Sequence, residues 1–210
     1  MIKTLYKTLP YDIKEYVESA IDLCGDHGVK VVFKPQNSVY KDQNCSGLFE
    51  YLDRKQITVA VGNSPWESWF PEFIHEFCHF QQWKNDTKIW NYDKDNLFMG
   101  WVAKEIHLTK DEQLKYYKAC RNIELDCERR VITTIKKYNF PISLNYYYRK
   151  SNFYISMYTF MYEKREWYTP PKYSTIFEQF LPNDRFLSVK EFDNPPNEFR
   201  ELAFKYCFRK

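Results

Sequence analysis

The chain has 210 residues, a net charge of +3 and 20% aromatic residues, with only five glycines. That length suits one domain, or one domain with a large C-terminal extension, and it suffices to bury a proper core. Lys and Arg alternate with acids, so no basic stripe points to nucleic acid; residues 1–10 hold no apolar signal-peptide core, and no run approaches membrane length.

The cysteines Cys24, Cys45, Cys78, Cys120, Cys127 and Cys207 are scattered without CxxC pairs. In a chain without a secretion signal they read as reduced thiols, and the expectation is a cytoplasmic protein rather than a disulfide scaffold. Cys78 and Cys127 read as small packing residues.

In chain order, Asp12 to Cys24 is helical, with Gly25 and Gly28 at its end, and Val29 to Phe33 is a strand. A polar loop runs from Pro35 to Asn44. Gly47 to Leu52 and Gln56 to Val61 then form a hairpin around Asp53-Arg54-Lys55. Ser64, Pro65 and Glu67 carry the signature of a helix start: N-cap, Pro at the first position, capping-box Glu. Pro71 leaves two options, a main helix that begins there or one continuous helix from 65, because an internal Pro costs about 3 kcal/mol.

Within that helix stands His75-Glu76-Phe77-Cys78-His79. Residues four apart share a helix face, so both imidazoles can reach one metal ion while the carboxylate sits beside it. This is the HExxH pattern of zinc hydrolases, with His75 and His79 as ligands and Glu76 as general base. Phe73, Phe77 and Phe80 fall on the opposite side, which assigns them to the core and the imidazoles to a cleft. The competing reading is a pair of surface histidines on an amphipathic helix.

Catalytic zinc takes three protein ligands and a water. Gln82 and Asn85 stand where a metzincin needs Gly and His, which excludes that family. His107 lies in a polar stretch without a partner motif. Between the two motif helices, residues 84–108 read as a loop over the cleft. A long helix follows, from an N-cap at Thr109 with Glu112 at the capping-box position to about Tyr138, and Pro141 marks its stop.

On that helix Leu114, Tyr117, Leu125, Ile132 and Ile135 form the apolar stripe, Glu124 and Glu128 fall beside it, and Asp126 points outward. A core-facing carboxylate is costly unless it binds a metal or is paired. Glu124 is therefore read as the third zinc ligand, and Glu128 as the carboxylate that orients a ligating imidazole. The alternative is ion pairing of these acids with Arg121 and Arg129 or Arg130 on a solvated edge.

HExxH with a Glu helix some tens of residues later resembles the gluzincin metallopeptidases. The strand-rich segment before the motif is similar to compact ImmA/IrrE-type members and to small phage-encoded metallopeptidases. Those share a HE(Y/F)CH(F/Y)xQW core and an ELDCE(R/K)R helix, matched by His75 to Trp83 and Glu124 to Arg130. Asn152, Tyr158 and Arg165 to Tyr168 belong to the same phage-type pattern. One departure is Glu128, where gluzincins more often carry Asp.

The resemblance implies an α+β fold with a small zincin-like metallopeptidase core over residues 1–140: an N-terminal helix, a short three-stranded sheet, the HExxH helix and the Glu-ligand helix. Residues 141–210 form an aromatic, mainly helical C-terminal region packed on it. Helix is expected over 143–168 and again over Phe199 to Phe208, with a break at Pro170-Pro171.

The implied chemistry is hydrolysis of a peptide or protein substrate with one Zn2+ ion, Glu76 passing the water's proton to the departing amine. His107 or a C-terminal tyrosine, Tyr148 or Tyr154, is the candidate donor to the oxyanion. The strand over 56–61 is expected to be the edge that holds an extended peptide. A regulatory or binding protein that keeps zinc without turnover is the alternative function.

Overall fold

The computed structural model describes residues 9–40, 45–62, 64–92, 96–169 and 174–208. Helix α1 spans Tyr11–Asp26, β1 Lys30–Lys34, β2 Gly47–Glu50, β3 Gln56–Ala60 and α2 Trp66–Lys84. A 3-10 turn at Trp90–Tyr92 precedes α3 (Leu97–Val102), α4 (Lys110–Tyr138) and α5 (Leu144–Lys164). A second 3-10 segment, Ser174–Phe180, leads to α6 (Val189–Asp193) and α7 (Asn197–Cys207). The architecture is α+β and mostly helical, and its residues fall into two compact units. The first comprises 1–87 with 127–142, the second 88–126 with 143–210.

In the first unit the sheet order is β1-β3-β2, with β3 parallel to β1 and antiparallel to β2. The expected hairpin is therefore present, and Lys55 takes a left-handed φ of 43° at its turn. The expected peptide-holding edge at 56–61 is wrong. Strand β3 is central, its Ile57, Thr58, Val59 and Ala60 are all buried, and both of its sides are occupied by neighbours. A continuous buried run is what a strand covered on both faces requires. The margins of this sheet are β1 and β2.

Helix α2 lies on the sheet through aromatic contacts. Phe33 packs on Trp69 and Phe73 at ring distances of 5.4 and 5.6 Å, and Phe49 on Phe80 at 6.1 Å. Pro71 sits inside this one continuous helix, and Pro65 is its N-cap without any side-chain capping bond. The Ser64–Glu67 capping box does not form. Pro71 falls early enough that only one ladder bond near the start of the helix is lost. On the far side of α2, Tyr16 meets Phe70, Phe77, Tyr138 and Phe140 edge to face.

The second unit has its own core, built on Phe98, Trp101, Tyr117, Met157, Phe160, Phe177 and Phe199. Residues 84–108 are thus not a loop over a cleft: α3 supplies Phe98, Trp101 and Val102 to this core. The capping box at Thr109 does form, with Thr109 N–H donating to Glu112 Oε2 at 2.8 Å and Glu112 N–H to Thr109 Oγ1 at 3.4 Å. Helix α5 starts at a Ser143 cap and stops at Arg165, whose φ is 50°. The Pro170-Pro171 break lies outside the described residues.

Two polar residues tie the second unit together from inside. Asn152 is fully buried; it donates to the Pro182 and Arg185 carbonyls at 3.1 and 2.9 Å and accepts from Leu187 N–H at 2.9 Å. Arg121, 1% exposed, pairs with Asp193 and donates to Asn122 and Tyr117. Among the described residues no helix is long and apolar enough to cross a membrane, and the six cysteines are free thiols.

Asn152→Ala removes three hydrogen bonds to partly buried backbone groups at once. At about 0.5–1.5 kcal/mol for each bond, it should lower unfolding free energy in urea by about 2 kcal/mol. A loss below half that would show that the 182–187 segment finds other partners.

Candidate metal centre

Helix α2 is buried on every side over its motif. His75 and His79 are each 8% exposed and Glu76 6%, with Ile74, Phe77, Cys78 and Phe80 buried between them. The surface-histidine reading therefore fails, and the helix is not amphipathic over this stretch. Phe73 and Phe80 face the sheet while Phe77 also meets Tyr16 on the far side, so the aromatic residues are not confined to one face, and the imidazoles point elsewhere into protein.

The two rings converge through their Nε2 atoms, which lie 3.0 Å apart, with ring planes at 84°. Each Nδ1 faces an acceptor. His79 Nδ1 is 2.8 Å from Gln82 Oε1. His75 Nδ1 is 3.3 Å from Glu128 Oε1. With the Nδ1 atoms turned to Gln82 and Glu128, the two Nε2 atoms face one another, an arrangement that suits one shared proton in a direct hydrogen bond or two lone pairs offered to a metal ion.

Among the described residues, His75, His79 and Cys127 form a group whose potential ligand atoms all lie within 4.8 Å of one another. Cys127, expected only to fill space, donates its thiol to the His75 carbonyl at 3.2 Å, and its sulfur is 3.5 Å from His75 Nδ1. It therefore flanks the same nitrogen as Glu128, on the side of the ring away from Nε2. Both residues come from adjacent positions on α4.

Glu76 lies against the start of β2. A methyl group built on Gly47 would stand 2.6 Å from Glu76 Oε1 and 2.8 Å from its Cγ. Beside it, the Cys45 thiol donates to the Gly47 carbonyl at 2.9 Å, and Ser46 Oγ donates to Glu72 Oε2 at 3.0 Å. Burial, reinforced by the Glu76 carboxylate, pushes the Cys45 thiol up to about 11.

Of the other expected site residues, Glu124 is buried at 8% and Asp126 is partly exposed, matching the inward and outward assignments on α4. Arg121 is occupied by Asp193 rather than forming a solvated edge. Among the described residues, Glu124 is not part of the compact His75–His79–Cys127 group and belongs to the second unit. There, burial and its charge raise the phenols of Tyr154 and Tyr158 well above their usual range, and the two hydroxyls are 2.7 Å apart. Tyr148 packs on Phe186 at 5.0 Å, and His107 is exposed between α3 and α4.

Sequence reasoning missed Gln82 as the partner of His79, Gly47 beside Glu76, and Cys127 in the group with the two histidines. Gln82 had a legible signal, since a residue three after His79 lies over the same helix face.

The donor set predicts one tight zinc site per chain in a chelator-competition titration. His75→Ala and His79→Ala should abolish it, and Gln82→Ala should weaken it about tenfold to a hundredfold by releasing His79 Nδ1. Unchanged affinity in Gln82→Ala would remove the orienting role. No protein-family model, curated protein or solved structure matches the chain, so the centre is interpreted from its own residues.

Proposed function

We propose that the chain is a zinc-dependent metallopeptidase with a zincin-type core. The observation that carries this reading is the pair of Nε2 atoms 3.0 Å apart, each ring locked through Nδ1 by Gln82 or Glu128, with Glu76 between them in sequence. His75 and His79 are two ligands of the ion. Glu124 is the third, supported by its inward position on α4 one helical turn before Glu128. Cys127, which lies in the compact group with His75 and His79 while its thiol donates to the His75 carbonyl, is the competing third ligand.

Zinc held there supplies a Lewis acid for the scissile carbonyl and lowers the pKa of a water towards 7. Glu76 takes the proton of the attacking water and returns it to the leaving amine. Gln82 and Glu128 hold the imidazoles in the tautomer that offers Nε2. The donor to the oxyanion stays one of His107, Tyr148 and Tyr154. An extended peptide pairs with the margin strand β2, whose first residue, Gly47, abuts Glu76.

Glu76→Gln should retain stoichiometric zinc and lose peptide hydrolysis by about 10²–10⁴-fold, the usual worth of a positioned general base. Retained turnover would refute the role. In metal analysis of purified protein, Glu124→Ala should lose the ion, whereas Asp126→Ala and Cys127→Ser should keep it. Loss in Cys127→Ser with retention in Glu124→Ala would reassign the third ligand to the thiol.

A further inference from the structure

Glycine is a poor choice inside a strand, where it adds chain entropy on unfolding and packs nothing. The chain has five glycines in all, and one of them opens β2, the short strand beside the motif helix. Left-handed backbone does not explain it: the positive-φ glycines are Gly28 and Gly62, and Gly47 is not among them. Space does. A Cβ at 47 would lie 2.6 Å from Glu76 Oε1, 2.8 Å from Cγ and 3.0 Å from Cδ. The first two are closer than a Cβ tolerates and the third is tight, and together they span most of the side chain rather than its tip alone.

The surroundings decide which partner yields. The backbone at Gly47 is held from both sides: it pairs with Val59 in the sheet, the Cys45 thiol donates to its carbonyl, and the preceding Ser46 carbonyl accepts from Ala60 N–H at 2.8 Å. Ser46 is further tied to Glu72, one turn before Glu76 on α2. The strand and the helix backbone are therefore coupled, and the atoms that a Cβ at 47 would meet all belong to the Glu76 side chain, so that side chain is what must shift.

We infer that Gly47 is a positioning residue: its missing side chain forms the wall against which the Glu76 carboxylate is set. The inference rests on the general-base reading for its catalytic consequence, and on packing alone for the contact itself. Any Cβ at 47 moves the carboxylate by about an ångström while leaving His75 and His79 where they are. Misplacement of that size costs about a hundredfold in rate.

The test uses Gly47→Ala in the full chain, with Gly25→Ala as control, since nothing lies within 4 Å of a Cβ at that helical glycine. Gly47→Ala should keep stoichiometric zinc. It should cut kcat for hydrolysis of a pool of casein peptides about a hundredfold with little change in KM, whereas Gly25→Ala should leave both unchanged. A second readout is independent of activity. Gly47→Ala should lower the melting temperature in the wild-type background, and this loss should vanish when Glu76→Ala removes the clashing atoms. Equal losses in both backgrounds, or a Gly47→Ala crystal structure with Glu76 unmoved, would overturn the inference. If the wild type cleaves nothing, the peptidase reading fails while the stability cycle still decides the Gly47–Glu76 contact.

Discussion

His75 and His79 are held with their Nε2 atoms 3.0 Å apart, close enough to share one proton or to offer both lone pairs to a metal ion. The constraint comes from the other end of each ring. Gln82 accepts from one Nδ1 and Glu128 faces the other, and neither ring can turn without giving up a buried partner. Rotating either imidazole would strand a polar atom at a cost of about 1–3 kcal/mol. The surrounding structure thus fixes a donor pair in advance of any ligand, which is what pre-organisation of a metal site means physically.

That arrangement dictates the character of α2. A helix bearing two imidazoles and a carboxylate in buried positions cannot also use one face for solvent. Its aromatic residues must therefore cover it both from the sheet, through Phe33 and Phe49, and from the opposite side, through Tyr16 and Phe140. The continuous helix accepts Pro71 because that residue is itself buried against the same layer. Packing supplies what the ladder loses.

Much of the frame was legible in the residues, and the misses have distinct causes. The Thr109–Glu112 box and the Ser143 cap were readable because capping is local chemistry, decided within three residues. The Ser64–Glu67 box was readable by the same rule and does not form, since the helix begins after Pro65 instead. The order of strands was not local at all. Nothing within 56–61 says that β1 crosses over to lie on its free side, so a central strand passed for an edge. Likewise, Leu97 to Val102 looked like linker because its apolar residues serve a core assembled from distant parts of the chain. In the site, the HExxH spacing gave the imidazoles and Glu76 directly. Gly47 was invisible, because a missing side chain acquires meaning only when its neighbour in space is known.

The choice between a carboxylate and a thiol as third donor turns on protonation. A thiol binds a metal as thiolate, so Cys127 would have to surrender its proton and with it the bond to the His75 carbonyl, one residue from Glu76. It would also have to be approached from the Nδ1 flank, where Glu128 stands. A buried carboxylate carries the opposite liability: it is costly as an anion until a cation compensates it. Burial, reinforced by the Glu124 charge, keeps the phenols of Tyr154 and Tyr158 protonated, and a divalent ion would compensate the carboxylate itself. In the proposed reading the two inward acids of α4 therefore divide their work, Glu124 neutralising the ion and Glu128 fixing the imidazole that binds it.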